Sequence, residues 1–208
     1  MLTIAIIGGG AAGFFAAISA KKYFPQAHVR VFEKTSKFLG KVKISGGGRC
    51  NVTNALSNHR LLSEKYPRGE KFLRKAFEQF DTKATIEWFE NRGVPLKTYS
   101  DLCVFPVSNE SQSIIDCLWK EAKTLGVELW TLRAIDKIIP LDNGFEIETS
   151  KQTYQSKKIV STINLSALFK TCAHWIPKYV VEAYKKLIIN PMFVISIGIK
   201  GDDMDKFT

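Results

Sequence analysis

The hexad Gly8-Gly9-Gly10-Ala11-Ala12-Gly13 follows the apolar run of residues 2–7 directly and limits the fold more than any other segment. It fits G-x-G-x-x-G. A short β-branched run that ends in glycines has the pattern of a buried parallel strand. Residues 11–23 are rich in small side chains and read as a helix stopped by Pro25, and residues 29–32 read as a second strand. Strand, glycine turn, helix and strand make one βαβ unit. Gly8 allows the tight turn, Gly10 lets backbone approach a diphosphate, and Gly13 lets helix and strand pack closely. The amides of Ala11 and Ala12 open the helix, where free N–H groups and the macrodipole favour negative charge. Glu33 lies twenty residues past Gly13, the place of a carboxylate that accepts hydrogen bonds from an adenosine ribose. Its charge disfavours NADP at this site.

The βαβ unit alone does not separate FAD from NAD. Residues 35–57 lack periodicity and read as a long loop, carrying the run Lys41-Val42-Lys43-Ile44-Ser45-Gly46-Gly47-Gly48-Arg49-Cys50-Asn51-Val52-Thr53-Asn54. Loops of that length in a compact domain are usually functional or disordered. Flexible glycines, one guanidinium and several amides and hydroxyls suit a diphosphate or a flavin ring edge. A glycine-rich surface loop with a solvated Arg is the plainer alternative.

Beyond the loop, residues 70–80 and 82–91 read as amphipathic helices, with Phe72, Ala76, Phe77 and Phe80 on one stripe and Ile86 and Phe89 on the other. Residues 95–99 and 103–106 read as a strand pair, and 111–125 as a helix closed by Gly126. Strands are expected at 127–132, 134–139, 145–149 and 158–162, with an Asp142-Asn143-Gly144 turn. The chain from Ile163 reads as helix, then as an apolar strand at 192–199.

Composition excludes several classes. Apolar residues at 45% and charged residues at 24% suit a folded globular chain. The formal charge of +10 comes from basic residues spread along the chain, with aromatics at helical spacing. It reads as a solvated surface, and no nucleic-acid partner is expected. Cys50, Cys103, Cys117 and Cys172 form no C-x-x-C pair, so no metal is expected, and scattered thiols suit a reducing, cytoplasmic location. The first twenty residues imitate a signal peptide but lack a basic n-region, and no apolar stretch is long enough to cross a membrane.

Gly8–Gly13, Glu33-Lys34 and Ser45-Gly46-Gly47-Gly48-Arg49-Cys50-Asn51 together resemble the aminoacetone-oxidase-like, BaiN/YhiN-type FAD-dependent flavoproteins. The likeness continues through Tyr66-Pro67-Arg68-Gly69-Glu70, Glu87-Trp88-Phe89-Glu90-Asn91-Arg92-Gly93-Val94-Pro95 and Phe105-Pro106-Val107-Ser108, with a fainter echo from Ile189 to Asp202. It implies an α/β fold: a Rossmann-type FAD-binding domain over 1–162 with a mainly parallel sheet, a helical and hairpin insertion at about 58–110 and a small β-meander. Residues 163–208 become a short C-terminal extension, the remnant or start of a substrate-side domain. The cofactor implied is FAD, with NAD(P)H as electron donor in some members. Gly8, Gly10, Ala11, Ala12, Gly13 and Glu33 would hold diphosphate and ribose. Lys34 and Lys41 would also bind the cofactor, Arg49, Cys50, Asn51 and Thr53 would lie along the flavin-facing loop, and Ala134 would lie at the adenine. Cys50 reads as a packing or backbone residue rather than a thiol catalyst, and no catalytic residue is singled out.

This chain departs from the family pattern in two places. Ser161-Thr162-Ile163-Asn164 stands where a glycine turn is usual, and the β-branched Ile163 there opposes close approach. Cys103 stands where an Arg is usual before Val-Phe-Pro. The resemblance also implies a C-terminal segment that closes over the flavin, and it is expected to lie outside these 208 residues. Two function classes therefore follow: an FAD-dependent oxidoreductase acting on a small organic substrate, or a non-catalytic or truncated dinucleotide-binding module. An incomplete sheet would expose an edge, so a homo-oligomer or a complementing chain is the expected partner.

Overall fold

A computed structural model describes residues 1–66 and 68–187 of the 208. Strand β1 (Thr3–Ile7) runs parallel to β2 (His28–Phe32) on one side and β10 (Lys158–Ser161) on the other. Strand β6 (Glu128–Trp130) pairs parallel with β2, so the sheet order is β10-β1-β2-β6. Both faces of β1 are covered, which explains the apolar run Ile4-Ala5-Ile6-Ile7. On one face Ile4, Ile6, Val29 and Val31 pack with Phe14, Ala17 and Ile18 of helix α1 (Ala11–Tyr23) and with Ile114 and Leu118 of α6 (Ser111–Thr124). Phe14 is fully buried there, a contribution of about 1.5–3 kcal/mol. On the other face Ala5 and Phe32 meet Ile147 and Tyr154. These belong to an antiparallel meander of β7 (Ile135–Leu141), β8 (Gly144–Thr149) and β9 (Thr153–Ser156).

The segment expected as a loop carries structure. A short helix α2 (Gly40–Ile44) and a 3-10 turn (Ser45–Gly48) lead into β3 (Thr53–Asn54). Helix α2 is too short for periodicity, and tertiary contacts hold it: Ser111 Oγ donates to Lys43 O at 2.8 Å, and Lys43 Nζ to Gln112 Oε1 at 2.9 Å. Strand β3 pairs with β5 (Cys103–Pro106), which pairs with β4 (Leu96–Thr98), giving the hairpin expected at 95–106 a third strand. Around it lie α3 (His59–Glu64), α4 (Glu70–Gln79) and α5 (Thr82–Glu90). Asn58 caps α3 and Asp81 caps α5, and His59 joins the two caps at 2.7 Å from the Asp81 carboxylate.

The α4 stripe differs from expectation, because Phe72 is 80% exposed and Leu73 and Phe77 take the inward positions. The compact unit containing the parallel sheet runs on to Trp175, past residue 162. Helix α7 (Leu165–Cys172) belongs to it, and Trp175 Nε1 donates to Ile138 O at 2.7 Å. A second unit starts at Ile176 and, among the described residues, contains α8 (Lys178–Lys185). The strand expected at 192–199 lies outside the described residues. Among those residues no helix is long and apolar enough to cross a membrane.

Candidate functional site

The three fingerprint glycines do different work. Gly8 adopts φ of 110°, and a Cβ there would stand 2.6 Å from Thr162 Oγ1. A Cβ on Gly13 would collide with the carbonyl oxygen of Gly8, so the absent side chain is what lets α1 sit against the turn. A Cβ on Gly9 would run into the Phe38 ring. Gly10 is the exception: it is exposed, and nothing lies within 4 Å of where its Cβ would be. As the N-cap of α1 it has extended backbone, and its carbonyl accepts from Phe14 N at 3.0 Å. The first-turn residues Ala11 and Ala12 are exposed, and that turn carries no acidic side chain. A helix start with exposed first-turn residues and no acidic side chain in that turn suits an anion.

Glu33 aims at the same turn. Its Oε2 accepts from Gly9 N at 2.9 Å, and its Oε1 accepts from Thr35 N and Thr35 Oγ1, both at 2.8 Å. Gly9 N–H is thereby taken by the carboxylate. Beside Glu33 the chain leaving β6 runs close: Leu132 N donates to Thr35 O and Arg133 N to Glu33 O. Ala134 is the next residue, half-buried, one position before β7. Lys34 is exposed.

The glycine-rich loop lies against β5. Gly46 and Gly47 adopt φ of 55° and 66°, and a Cβ on Gly46 would stand 2.9 Å from Phe105 Cε1. The Arg49 guanidinium lies over the Phe105 ring, 4.3 Å from its centre. Asn51 Nδ2 donates to Cys103 Sγ at 3.4 Å, and Thr53 pairs with Val104. Lys41 is exposed on α2. The Cys50 side chain is buried at a φ of 62°, and burial pushes its thiol up, against a smaller opposing effect of Ser45. A thiol held protonated is a poor nucleophile. Cys103 is the half-exposed cysteine, and its hydrogen bond with Asp101 pushes its thiol up as well.

Ile163 leaves the open space at Gly10 alone. Its Cγ2 lies near Gly8, while Thr162 Oγ1 reaches the carbonyls of Ile7 and Gly8 at 3.0 and 3.2 Å. Asn164 caps α7 through Ala167 N. The β-branched turn thus packs beneath the glycines and leaves the helix start clear. Thr35 and Phe38 also border the glycine turn, and neither belongs to the fingerprint. Thr35 alone carried a signal, a hydroxyl two residues from the acid.

Residues 2–189 match the family described as the HI0933-like protein Rossmann domain. The chain belongs to the HI0933-like Rossmann family. This is the family of FAD-dependent oxidoreductases that the glycine and Arg49-Cys50-Asn51 motifs resembled. Among curated relatives, the 3-dehydro-bile acid delta(4,6)-reductase of Clostridium scindens is 28% identical over 160 residues. That match covers 77% of this chain and 38% of the relative. The ribosomal RNA dihydrouridine synthase of Escherichia coli is 28% identical over 160 residues, covering 74% of this chain and 37% of the relative. The chain therefore spans under two fifths of these relatives' length. Among solved structures, the FrdA subunit of E. coli quinol fumarate reductase superposes with a TM-score of 0.57 at 16% identity, covering 78% of this chain and 33% of that one. An oxidoreductase from Methanosarcina mazei gives 0.55 at 14%, covering 89% and 64%. At these identities the likeness establishes the Rossmann-type fold, with its parallel sheet and small antiparallel sheets.

Proposed function

We propose that this chain forms the FAD-binding part of an oxidoreductase that adds two hydrogens across a ring C=C bond of a small organic substrate, with NAD(P)H as donor. The observation that carries the reading is the open helix start at Gly10-Ala11-Ala12 with Glu33 fixed beside it. The residues present fit the adenosine diphosphate half of FAD. Gly10, Ala11 and Ala12 would hold the diphosphate through backbone N–H groups, Glu33 the ribose, and the backbone near Ala134 the adenine. On the other half, the exposed Gly46 and Gly47 would let the flavin ring come close, with Arg49 and Asn51 at its edge. Lys34 and Lys41 would contribute positive charge around the diphosphate, and Thr53 would hold the loop to β5. Bound flavin would supply the hydride chemistry, and the protein its orientation.

The substrate class rests on the relatives. A delta(4,6)-reductase and a dihydrouridine synthase both have names that denote saturation of a ring double bond. A second reading, a uracil ring within RNA, draws on the synthase relatives and the net charge of +10. Free cysteines throughout suit a reducing compartment, so the reading places the protein in the cytoplasm. The assignment of 1–162 to FAD and of later residues to the substrate side is part of the same proposal, as is completion of the site by further chain. Anaerobic addition of NADH to the FAD-loaded protein tests it: bleaching of the flavin band supports an oxidoreductase with that donor. Subsequent recolouring by a cyclic enone favours a small substrate, and recolouring by a uridine-containing RNA oligonucleotide favours the second reading. A flavin that NADH and dithionite leave equally unusable to either acceptor contradicts both.

A further inference from the structure

The carboxylate of Glu33 is more committed than ribose binding alone requires. Each of its oxygens offers about two lone-pair sites. Oε1 already receives the Thr35 amide and lies 2.8 Å from the Thr35 hydroxyl, whereas Oε2 receives the Gly9 amide. Backbone bonds hold the segment from outside, from Glu33 N to Trp130 O at 2.8 Å, from Arg133 N to Glu33 O at 2.9 Å and from Leu132 N to Thr35 O at 3.1 Å. The Thr35 hydroxyl also lies 2.9 Å from Lys37 O, so its single proton is shared between that carbonyl and the carboxylate.

We infer that Thr35 is a positioning residue of the nucleotide site: its amide and hydroxyl occupy Oε1 and turn Glu33 so that Oε2 meets the ribose, through one hydroxyl. This rests on the FAD reading above. Ribose offers neighbouring 2′ and 3′ hydroxyls, and a carboxylate with both oxygens free accepts from both. With Oε1 occupied, only one of the two bonds forms. The recognition is therefore asymmetric between the hydroxyls.

The test displaces FAD from the full chain, read by flavin fluorescence, with ADP, 2′-deoxy-ADP and 3′-deoxy-ADP. In the unmodified protein one deoxy analogue should match ADP and the other should weaken by on the order of tenfold, the loss of one hydrogen bond to a charged group. Thr35→Val keeps shape and backbone amide but removes the hydroxyl, and should weaken FAD and ADP by about fivefold to tenfold. Thr35→Ser should restore them, and FMN, which lacks the adenosine ribose, should bind equally to all three proteins. Equal losses for both deoxy analogues, or a folded Thr35→Val protein that binds ADP unchanged, would overturn the inference. The analogue arm needs no variant, so it stands even if Thr35→Val fails to fold. A protein that binds neither FAD nor ADP removes the FAD reading itself and this inference with it.

Discussion

Replacing Gly10 and Gly13 separately should divide the fingerprint into a ligand glycine and a packing glycine. At Gly13 a Cβ collides with the Gly8 carbonyl oxygen and stands 3.0 Å from Gly8 C and 3.2 Å from Thr162 Oγ1. The first two are backbone of the β1–α1 turn and cannot swing aside. Overpacking of this kind costs about 1–3 kcal/mol or more, and the better helix propensity of Ala returns at most about 1 kcal/mol. Gly13→Ala should therefore lose about 2 kcal/mol, a fall in Tm of roughly 4–8 °C for a chain of this size. At Gly10 nothing lies within 4 Å and φ is −84°, so Ala fits the backbone. Its cost is that of a weaker N-cap, about 0.5–1 kcal/mol, or roughly 1–4 °C. The new methyl nevertheless stands where a diphosphate must approach. Displacing one charge-assisted hydrogen bond, about 1.5–3 kcal/mol, should weaken FAD by about tenfold to a hundredfold. Thermal melts without ligand and FAD titrations read the two effects apart. A Gly13→Ala protein that melts like the parent, or a Gly10→Ala protein that binds FAD undiminished, refutes the reasoning.

Three further outcomes follow from particular contacts. Glu33→Ala leaves the Gly9 and Thr35 N–H groups without their acceptor, so calorimetry should show FAD and ADP weakened by at least about tenfold while FMN is unaffected. Asp101→Asn removes the main influence that raises the Cys103 thiol, so alkylation of Cys103 at mildly alkaline pH, followed by mass spectrometry, should speed up while buried Cys50 stays unlabelled. The carboxyl of Asp81 is held below its usual range, first by the Ala84 amide it caps and then, opposing burial, by His59. Because its folded pKa lies below its unfolded value, this stabilisation is complete above about pH 4 and fades as pH falls through the lower folded value. Asp81→Ala should cost about 1 kcal/mol at neutral pH, and denaturant midpoints should converge with the parent in strong acid.

The parts that could be read from sequence are those where one local constraint dominates. Strands β1 and β2 and helix α1 follow from apolar runs divided by glycines whose missing side chains the turn demands. The order of the sheet was not readable, because β6 reaches β2 only after some ninety residues of intervening chain. Helix α2 escaped notice because Ser111 and Gln112 hold it from a distant helix rather than through its own periodicity. Strand β9, Thr-Tyr-Gln-Ser, alternates exposed and buried, but only Tyr154 carries apolar bulk. At the site, the glycines and Glu33 were legible by spacing. The clamp that Thr35 places on Glu33, and the packing of Ile163 beneath Gly8 instead of over Gly10, depend on side-chain directions that spacing does not encode.

Competition between ADP and FAD is the most direct measurement of the central claim. Backbone amides at the start of α1 and the Glu33 carboxylate grip the adenosine diphosphate half, so ADP should displace FAD at far lower concentration than FMN does. Displacement by FMN with ADP inert would place the grip on the flavin half and contradict the account.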